Sequence, residues 1–205
     1  MDDSVMTVVL NEEADRTFEI WRDQEPPNPR DDDNLGIIGC AHKRYTLGDE
    51  QIDLDQYSSF GEYAIKKFGA EGIFMPVYLM DHSGLSVSTT DFGCRWDSGV
   101  VGVIGVSKEK ILKEFGEDRP SDEKIKEYLI GEVKQYDQYL SGEGYGFTIR
   151  ELIPDCSRCN RKEEWDEVIS VGGFLGDDFL NNGILEELSK EEYEIVKECL
   201  KKKNL

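Results

Sequence analysis

Two uninterrupted apolar runs, residues 73–80 and 100–106, constrain the fold of this 205-residue chain more than any other feature. Each run has the length of one strand and is too short for a typical helix. A strand that is apolar on both faces is usually buried on both sides, as the central strands of a sheet are. The sequence therefore predicts that these two segments lie in the middle of a sheet.

Shorter strand patterns surround these two runs. They are β-branched, apolar or alternating segments bounded by turn residues, and they lie at 6–10, 17–21, 35–41, 85–90, 145–149 and 165–171. The last two are expected to pair in antiparallel fashion. Residues 49–57, between two predicted elements, are expected to form an acidic loop.

Serine caps mark the starts of the predicted helices, because a serine hydroxyl can accept a free backbone N–H of the first turn. Ser59 and Ser189 each stand three residues before a glutamate, which is the spacing of a capping box. The longest helix begins after Ser121, and one apolar stripe follows its length: Ile125, Tyr128, Leu129, Val133, Tyr136 and Leu140. Because strands and helices cluster separately, the predicted class is α+β, with about four helices packed on a mixed or antiparallel sheet.

Length and composition predict one domain over residues 1–205, since no flexible linker divides the chain. No signal sequence or spanning segment is recognisable, so we expect a cytoplasmic protein. The five cysteines are an odd number and are expected to be mostly free thiols. Cys156 and Cys159 have half of a structural zinc motif, which keeps zinc as an alternative, but a second pair is missing, so no cofactor is predicted.

The charge of the chain limits its partners. It has 44 acidic and 24 basic side chains, a net charge of -20, and the first 60 residues alone contain 15 acidic and 5 basic residues. Such a field repels nucleic acids and anionic membranes and attracts basic surfaces. We therefore expect a basic protein partner, with the contact made by two acidic segments: Asp31, Asp32, Asp33, Asp49, Glu50, Asp53 and Asp55.

A second set of residues could form a ligand site. Polar side chains stand beside glycines at the predicted strand ends, where binding sites are often built. They are His42, Asp81, His82, Trp96, Asp97 and Asp177. No nucleophile elbow, helix-borne zinc motif or phosphate-binding glycine loop accompanies them. No catalytic residue or metal ligand is therefore assigned, and a binding role is favoured over an enzymatic one.

Seven short strings, taken in order over about residues 20–185, resemble a family of uncharacterised proteins from phages, plasmids and integrative elements of Gram-positive bacteria. They begin at Asp33 (DNLG), His42 (HKRYTLGD), Asp81 (DHSG), Trp96 (WDSGVVG), Val106 (VSKEK), Tyr136 (YDQYL) and Gly173 (GFLGDD). The resemblance implies an accessory protein of a mobile element, acting in the cytoplasm of the bacterial host. It implies no activity.

Three functions remain open on the sequence. The first is a non-enzymatic, DNA-mimic-like antagonist of a host defence or nucleic-acid-processing protein, because a compact acidic surface can compete for a basic groove. The second is a small-molecule binder, for example of a nucleotide, or a metal-dependent hydrolase, with its site at the strand-end turns. The third is an acidic domain with a structural role.

Overall fold

The computed structural model describes residues 4–155 and 162–203. Within them, four α-helices accompany two sheets, one antiparallel and one mixed, which confirms the predicted α+β class. In chain order the elements are β1 (Ser4–Val9), β2 (Arg16–Arg22), β3 (Ile37–Cys40), β4 (Glu50–Gln51), α1 (Phe60–Phe68), β5 (Ile73–Asp81), β6 (Leu85–Ser88), β7 (Ser98–Val106), α2 (Lys108–Phe115), α3 (Asp122–Leu140), β8 (Gly144–Ile153), β9 (Glu164–Leu175) and α4 (Lys190–Lys203).

The chain divides into two compact units. The terminal unit combines Met1–Pro27 with Gly142–Leu205, and the central unit is Asn28–Ser141. The prediction of a single domain over residues 1–205 stays a prediction. No helix in the described ranges has both the length and the apolar character needed to cross a bilayer.

The terminal unit contains the antiparallel sheet, in the order β1-β2-β8-β9. The predicted pairing of 165–171 with the preceding strand is confirmed by the β8–β9 register, in which Ser170 lies opposite Thr148. Alternate residues of β2 and β8 point to one face, as strand geometry requires. With residues of α4 they form one core, which includes Phe18, Ile20, Phe147, Ile149, Val196 and Leu200.

The two predicted capping boxes differ in one contact. At α4, Ser189 Oγ accepts the N–H of Glu192 at 3.4 Å and the Glu192 carboxylate accepts the N–H of Ser189 at 2.9 Å, as predicted. At α1, Ser59 caps the N–H of Glu62 at 3.1 Å, but the Glu62 carboxylate binds Ser58 instead of Ser59. Hydrogen bonds from Ser58, helped by Lys66, lower the pKa of Glu62 to about 2.

The central unit contains the mixed sheet, in the order β4-β3-β7-β5-β6. Strand β7 is central and β5 is its neighbour, so the predicted central position of residues 73–80 and 100–106 is confirmed. The predicted strand at 85–90 is β6. The acidic segment 49–57, predicted as a loop, includes the two-residue strand β4, which pairs in parallel with Gly39 and Cys40 of β3.

Helix α3 packs on this sheet through the predicted stripe, with one correction. Ile125, Leu129, Val133 and Tyr136 are buried. Tyr128 was predicted to be buried and is 40% exposed, stacked against Phe115 with the ring centres 6.1 Å apart. The buried positions recur every three or four residues from Ile125, and Tyr128 lies at the edge of that stripe, where the helix surface turns away from the sheet.

Three cysteines in the described residues, Cys40, Cys94 and Cys199, are free thiols. Burial, together with the nearby charge of Asp49, raises the pKa of the Cys40 thiol to about 12. Cys40 is therefore a neutral packing residue at ordinary pH. The half zinc motif at Cys156 and Cys159 lies outside the described residues.

Candidate functional site

The β5–β6 hairpin and the loop that connects β6 to β7 position predicted polar residues in the central unit. Strand β5 ends at Asp81 and β7 begins at Ser98. The backbone N–H of Asp81 donates to the carbonyl of Asp97 at 2.9 Å. Ser98 fixes the loop before β7, because its hydroxyl donates to the carbonyl of Cys94 at 2.6 Å and its N–H donates to the same oxygen at 3.0 Å. The loop that carries Trp96 is therefore tied at its base.

The segment after β3 lies beside these turns. The N–H of Ala41 donates to Val101 at 2.8 Å, which continues the contact with β7. His42 Nδ1 accepts the N–H groups of Arg44 and Tyr45, each at 3.3 Å, and its ring stacks on Tyr45 with centres 4.9 Å apart. Because Nδ1 accepts both bonds, the neutral ring carries its proton on Nε2.

A cavity of 340 Å³, which we call the turn cavity, lies between these segments. Four of the six predicted ligand residues line it, and Arg44 lines it with them: His42, Arg44, Asp81, Trp96 and Asp97. A fifth predicted residue, His82, is not part of the lining but contacts it, with its Nδ1 3.3 Å from Asp97 Oδ2. The sixth, Asp177, belongs to the terminal unit and is exposed there.

Ion pairs and hydrogen bonds arrange the carboxylates of the turn cavity. Asp81 pairs with the guanidinium of Arg44 and accepts the Tyr45 hydroxyl at 3.2 Å. Asp97 accepts from the Cys94 thiol at 3.7 Å in addition to its contact with His82. Arg44 and Tyr45 were not among the predicted ligand residues, although the string that begins at His42 contains both.

A second cavity, of 690 Å³, adjoins the first and is called the loop cavity. Ala41, His42 and Arg44 line both cavities. Across the loop cavity from them lie residues 51–55, which include the predicted partner-binding residues Asp53 and Asp55. Hydrogen bonds from Gln56 and from the backbone N–H of Asp55 lower the pKa of Asp53. Residues from both predicted sets therefore meet on one surface of the central unit.

Two of the predicted surface carboxylates are engaged inside the central unit. Asp49 accepts from Arg30 Nε at 2.9 Å and Nη2 at 2.7 Å, and from the N–H of Ile38 at 2.6 Å. Glu50 pairs with Lys67 at 2.6 Å and accepts the hydroxyl of Tyr63. Their contribution to a partner surface stays a prediction, and it would have to coexist with these contacts.

Arg30 is the centre of this internal network. Its side chain is only 3% exposed and also donates to Glu132 at 3.1 Å and to the carbonyl of Gly36 at 2.8 Å. Burial alone would lower the pKa of Arg30, but the bonds to Asp49 and Glu132 outweigh burial and raise it. Arg30 was not predicted to be a structural residue, and its one signal in the sequence is its position immediately before three aspartates.

The remaining acidic residues face solvent. Asp31, Asp32, Asp33, Asp53 and Asp55 are all exposed. The side chain of Asp33 is 95% exposed, and its nearest cation, Lys110 Nζ, is 3.9 Å away. Five of the seven predicted partner-binding carboxylates are therefore accessible to another molecule.

Two kinds of catalytic arrangement could be recognised among the described residues around the turn cavity, a metal-ligand cluster and a histidine paired with a nucleophile. In residues 4–155 and 162–203, no three His, Cys, Asp or Glu side chains are grouped to hold a metal ion. Within the same ranges, neither histidine hydrogen-bonds a serine or cysteine side chain, and the Ser98 hydroxyl is committed to Cys94.

Comparisons of the chain with protein-family models, curated proteins and solved structures find no match.

Proposed function

We propose that this protein binds a small molecule, of the nucleotide class, in the turn cavity of its central unit. The observation that carries the proposal is the convergence of His42, Asp81, Trp96 and Asp97 on a single cavity of 340 Å³. That volume is within the usual range of small-molecule sites. These residues come from three separate turns, so their meeting is a product of the fold and not of sequence adjacency.

Trp96 supports a ligand with a planar ring. Its side chain lines the cavity and is 93% exposed, which is unusual for the largest apolar side chain. An indole face held on a tied loop can stack on a nucleobase, and such stacking contributes about 1–3 kcal/mol per base. The ring is therefore available for stacking on a ligand.

Cationic groups beside Trp96 support an anionic portion of the same ligand. Arg44 lines the cavity with 68% of its side chain exposed, and its pairing with Asp81 uses one nitrogen. The other donors of a guanidinium are then available to a phosphate, which it matches in geometry. Exposed Lys43, in the wall of the loop cavity, adds a second cation nearby.

We expect Trp96→Ala to weaken nucleotide binding at least tenfold, because it removes the stacking face. Isothermal titration with AMP, ATP, GTP, CTP and UTP measures the change in dissociation constant. Trp165→Ala is the matched control, because Trp165 is also exposed, at 46%, but lies on β9 of the terminal unit. Equal losses in the two variants, or no binding of any nucleotide to the parent at millimolar concentration, would contradict the proposal.

A second candidate is the acidic antagonist, and the five exposed carboxylates favour it. On this proposal the protein, encoded by a mobile element, binds a basic host protein, such as a nucleic-acid-binding defence enzyme, in the bacterial cytoplasm. Asp31, Asp32 and Asp33 form its most accessible cluster, adjacent to the structural Arg30. A net charge of -20 would accelerate the encounter with a basic groove and make binding sensitive to salt.

We expect replacement of Asp31, Asp32 and Asp33 by Asn to weaken binding to the basic host protein and to flatten its dependence on salt. Stability should change by less than about 1 kcal/mol, because exposed charges contribute little to folding. A salt series of dissociation constants, with thermal unfolding of each variant, measures both effects. A triple variant that binds like the parent at low salt would show that this cluster is not the interface.

A further inference from the structure

An apolar groove lies on the central unit between α2 and α3. It has a volume of 590 Å³, and its apolar walls are Leu35, Phe115 and Tyr128. Leu112 lies one turn before Phe115 on α2 and is 47% exposed, so it extends the apolar surface on that side. None of these residues lines the turn cavity or the loop cavity. The groove is therefore a separate surface from the site proposed above.

Gly131 lies on the α3 side of this groove, inside a 19-residue helix. A glycine inside a helix lowers stability relative to alanine, because it has more conformational freedom to lose on folding. A Cβ atom added at Gly131 would meet nothing within 4 Å, in contrast to Gly36, where it would meet Leu129 at 2.5 Å. Packing inside the protein therefore does not explain Gly131, whereas close approach of another molecule would.

The polar groups of the groove indicate the charge of that molecule. They are Glu127, Glu132 and Gln135, so both charged groups in the lining are carboxylates. Glu132 is committed to Arg30 and to the N–H groups of Leu35 and Gly36. Glu127 is 63% exposed and, among the described residues, makes only a surface ion pair with Lys124, at 2.7 Å, which contributes little and can be exchanged for a partner's cation. An apolar groove with a carboxylate at its edge is complementary to an apolar segment that also carries a Lys or Arg.

We propose that the groove between α2 and α3 binds an amphipathic helix of a basic partner protein, with Gly131 at the point of closest approach. Helices bind in apolar grooves through residues spaced three and four apart, and a glycine in the wall lets the backbones come near. The negative charge of the chain disfavours a second copy of itself as the occupant.

The test uses two 14-residue helical peptides of leucine and lysine with identical composition. One has its leucines on a single face, and the other has them spread around the helix, so that net charge is the same. We expect the amphipathic peptide to bind at least tenfold more tightly to the parent protein and to shift the NMR signals of Phe115 and Tyr128. Equal affinity of the two peptides, or shifts confined to other regions, would overturn the proposal.

Gly131→Leu tests the close approach directly, because its side chain would fill the wall of the groove. Gly61→Leu is the matched control, since Gly61 is an exposed glycine of α1 whose added Cβ would meet only Ser59 Oγ, at 3.7 Å. We expect Gly131→Leu to lose at least tenfold in affinity for the amphipathic peptide, and Gly61→Leu to bind it like the parent. Unfolding temperatures at or above that of the parent would show that both variants are folded.

Three results of this comparison would overturn the proposal. They are unchanged binding to Gly131→Leu, an equal loss in both variants, and a parent dimer that Gly131→Leu dissociates in sedimentation. The last would identify a second copy as the occupant. Because Gly131 does not line the turn cavity, nucleotide titrations of both variants should match the parent.

Discussion

Asp49→Ala is expected to lower the free energy of unfolding of the central unit by about 1–3 kcal/mol, the usual cost of leaving buried hydrogen-bond donors without an acceptor. Without Asp49, the Arg30 guanidinium, 3% exposed, loses two of its hydrogen bonds, and the N–H of Ile38 loses its side-chain acceptor. Urea unfolding followed by circular dichroism measures the change.

Asp55→Ala is the control for this variant. Asp55 lies in the same acidic segment and is exposed, but it has no partner like Arg30 among the described residues, so its removal should change stability by less than about 0.5 kcal/mol. If Asp49→Ala unfolds at the same urea concentration as Asp55→Ala, then Asp49 is a surface charge, as its sequence context indicates, and the buried network does not stabilise the fold.

The network around Asp49 also positions the candidate site. The backbone N–H of Asp49 donates to Ile38 at 2.8 Å, and the N–H of the preceding Gly48 donates to the hydroxyl of Tyr136 at 2.9 Å. These bonds hold the end of the segment that begins at His42 against β3 and α3. Asp49→Ala keeps both of these backbone bonds, so they should continue to hold the segment in place after the carboxylate is removed.

Local patterns in the sequence were sufficient for most of the fold. The caps at Ser59 and Ser189 and the central strands β5 and β7 depend on neighbouring residues, which a single sequence displays. Strand β4 could not be predicted, because its two residues carry no apolar pattern of their own. They pair in parallel with β3, from which residues 41–49 separate them. Tyr128 was assigned to the wrong face because the width of a buried stripe depends on what packs against the helix.

The candidate site was partly predictable for the same reason. Glycines and polar residues at strand ends indicated His42, Asp81 and Asp97, because strand ends of one sheet come close together. The role of Asp49 was hidden, since its partner Arg30 is 19 residues away and an acidic segment shows only its charge. Long-range ion pairs depend on the folded path of the chain, which composition and spacing do not contain.

Leu129→Ala is expected to lower the free energy of unfolding of the central unit by about 2–5 kcal/mol, the range for a buried leucine cut to alanine. Leu129 is fully buried in the core between α3 and the sheet. Leu129 also packs closely on Gly36, because a Cβ atom added at Gly36 would lie 2.5 Å from Leu129 Cδ2. Little of the cavity that Leu129→Ala leaves can therefore be filled by relaxation of its neighbours.

Ile130→Ala is the control, since Ile130 is the next residue of the same helix and is 45% exposed. It should cost less than about 1 kcal/mol, because surface substitutions outside special contacts have small effects. Urea unfolding of the two variants compares the buried and exposed faces of α3, because both substitutions put alanine at adjacent positions of the same helix.

A loss below about 0.5 kcal/mol in Leu129→Ala would contradict the packing of α3 on the sheet, because a buried leucine cannot be removed at that cost. The Phe115–Tyr128 side of the helix would then have to be reconsidered as the packed face, and the groove proposed there with it.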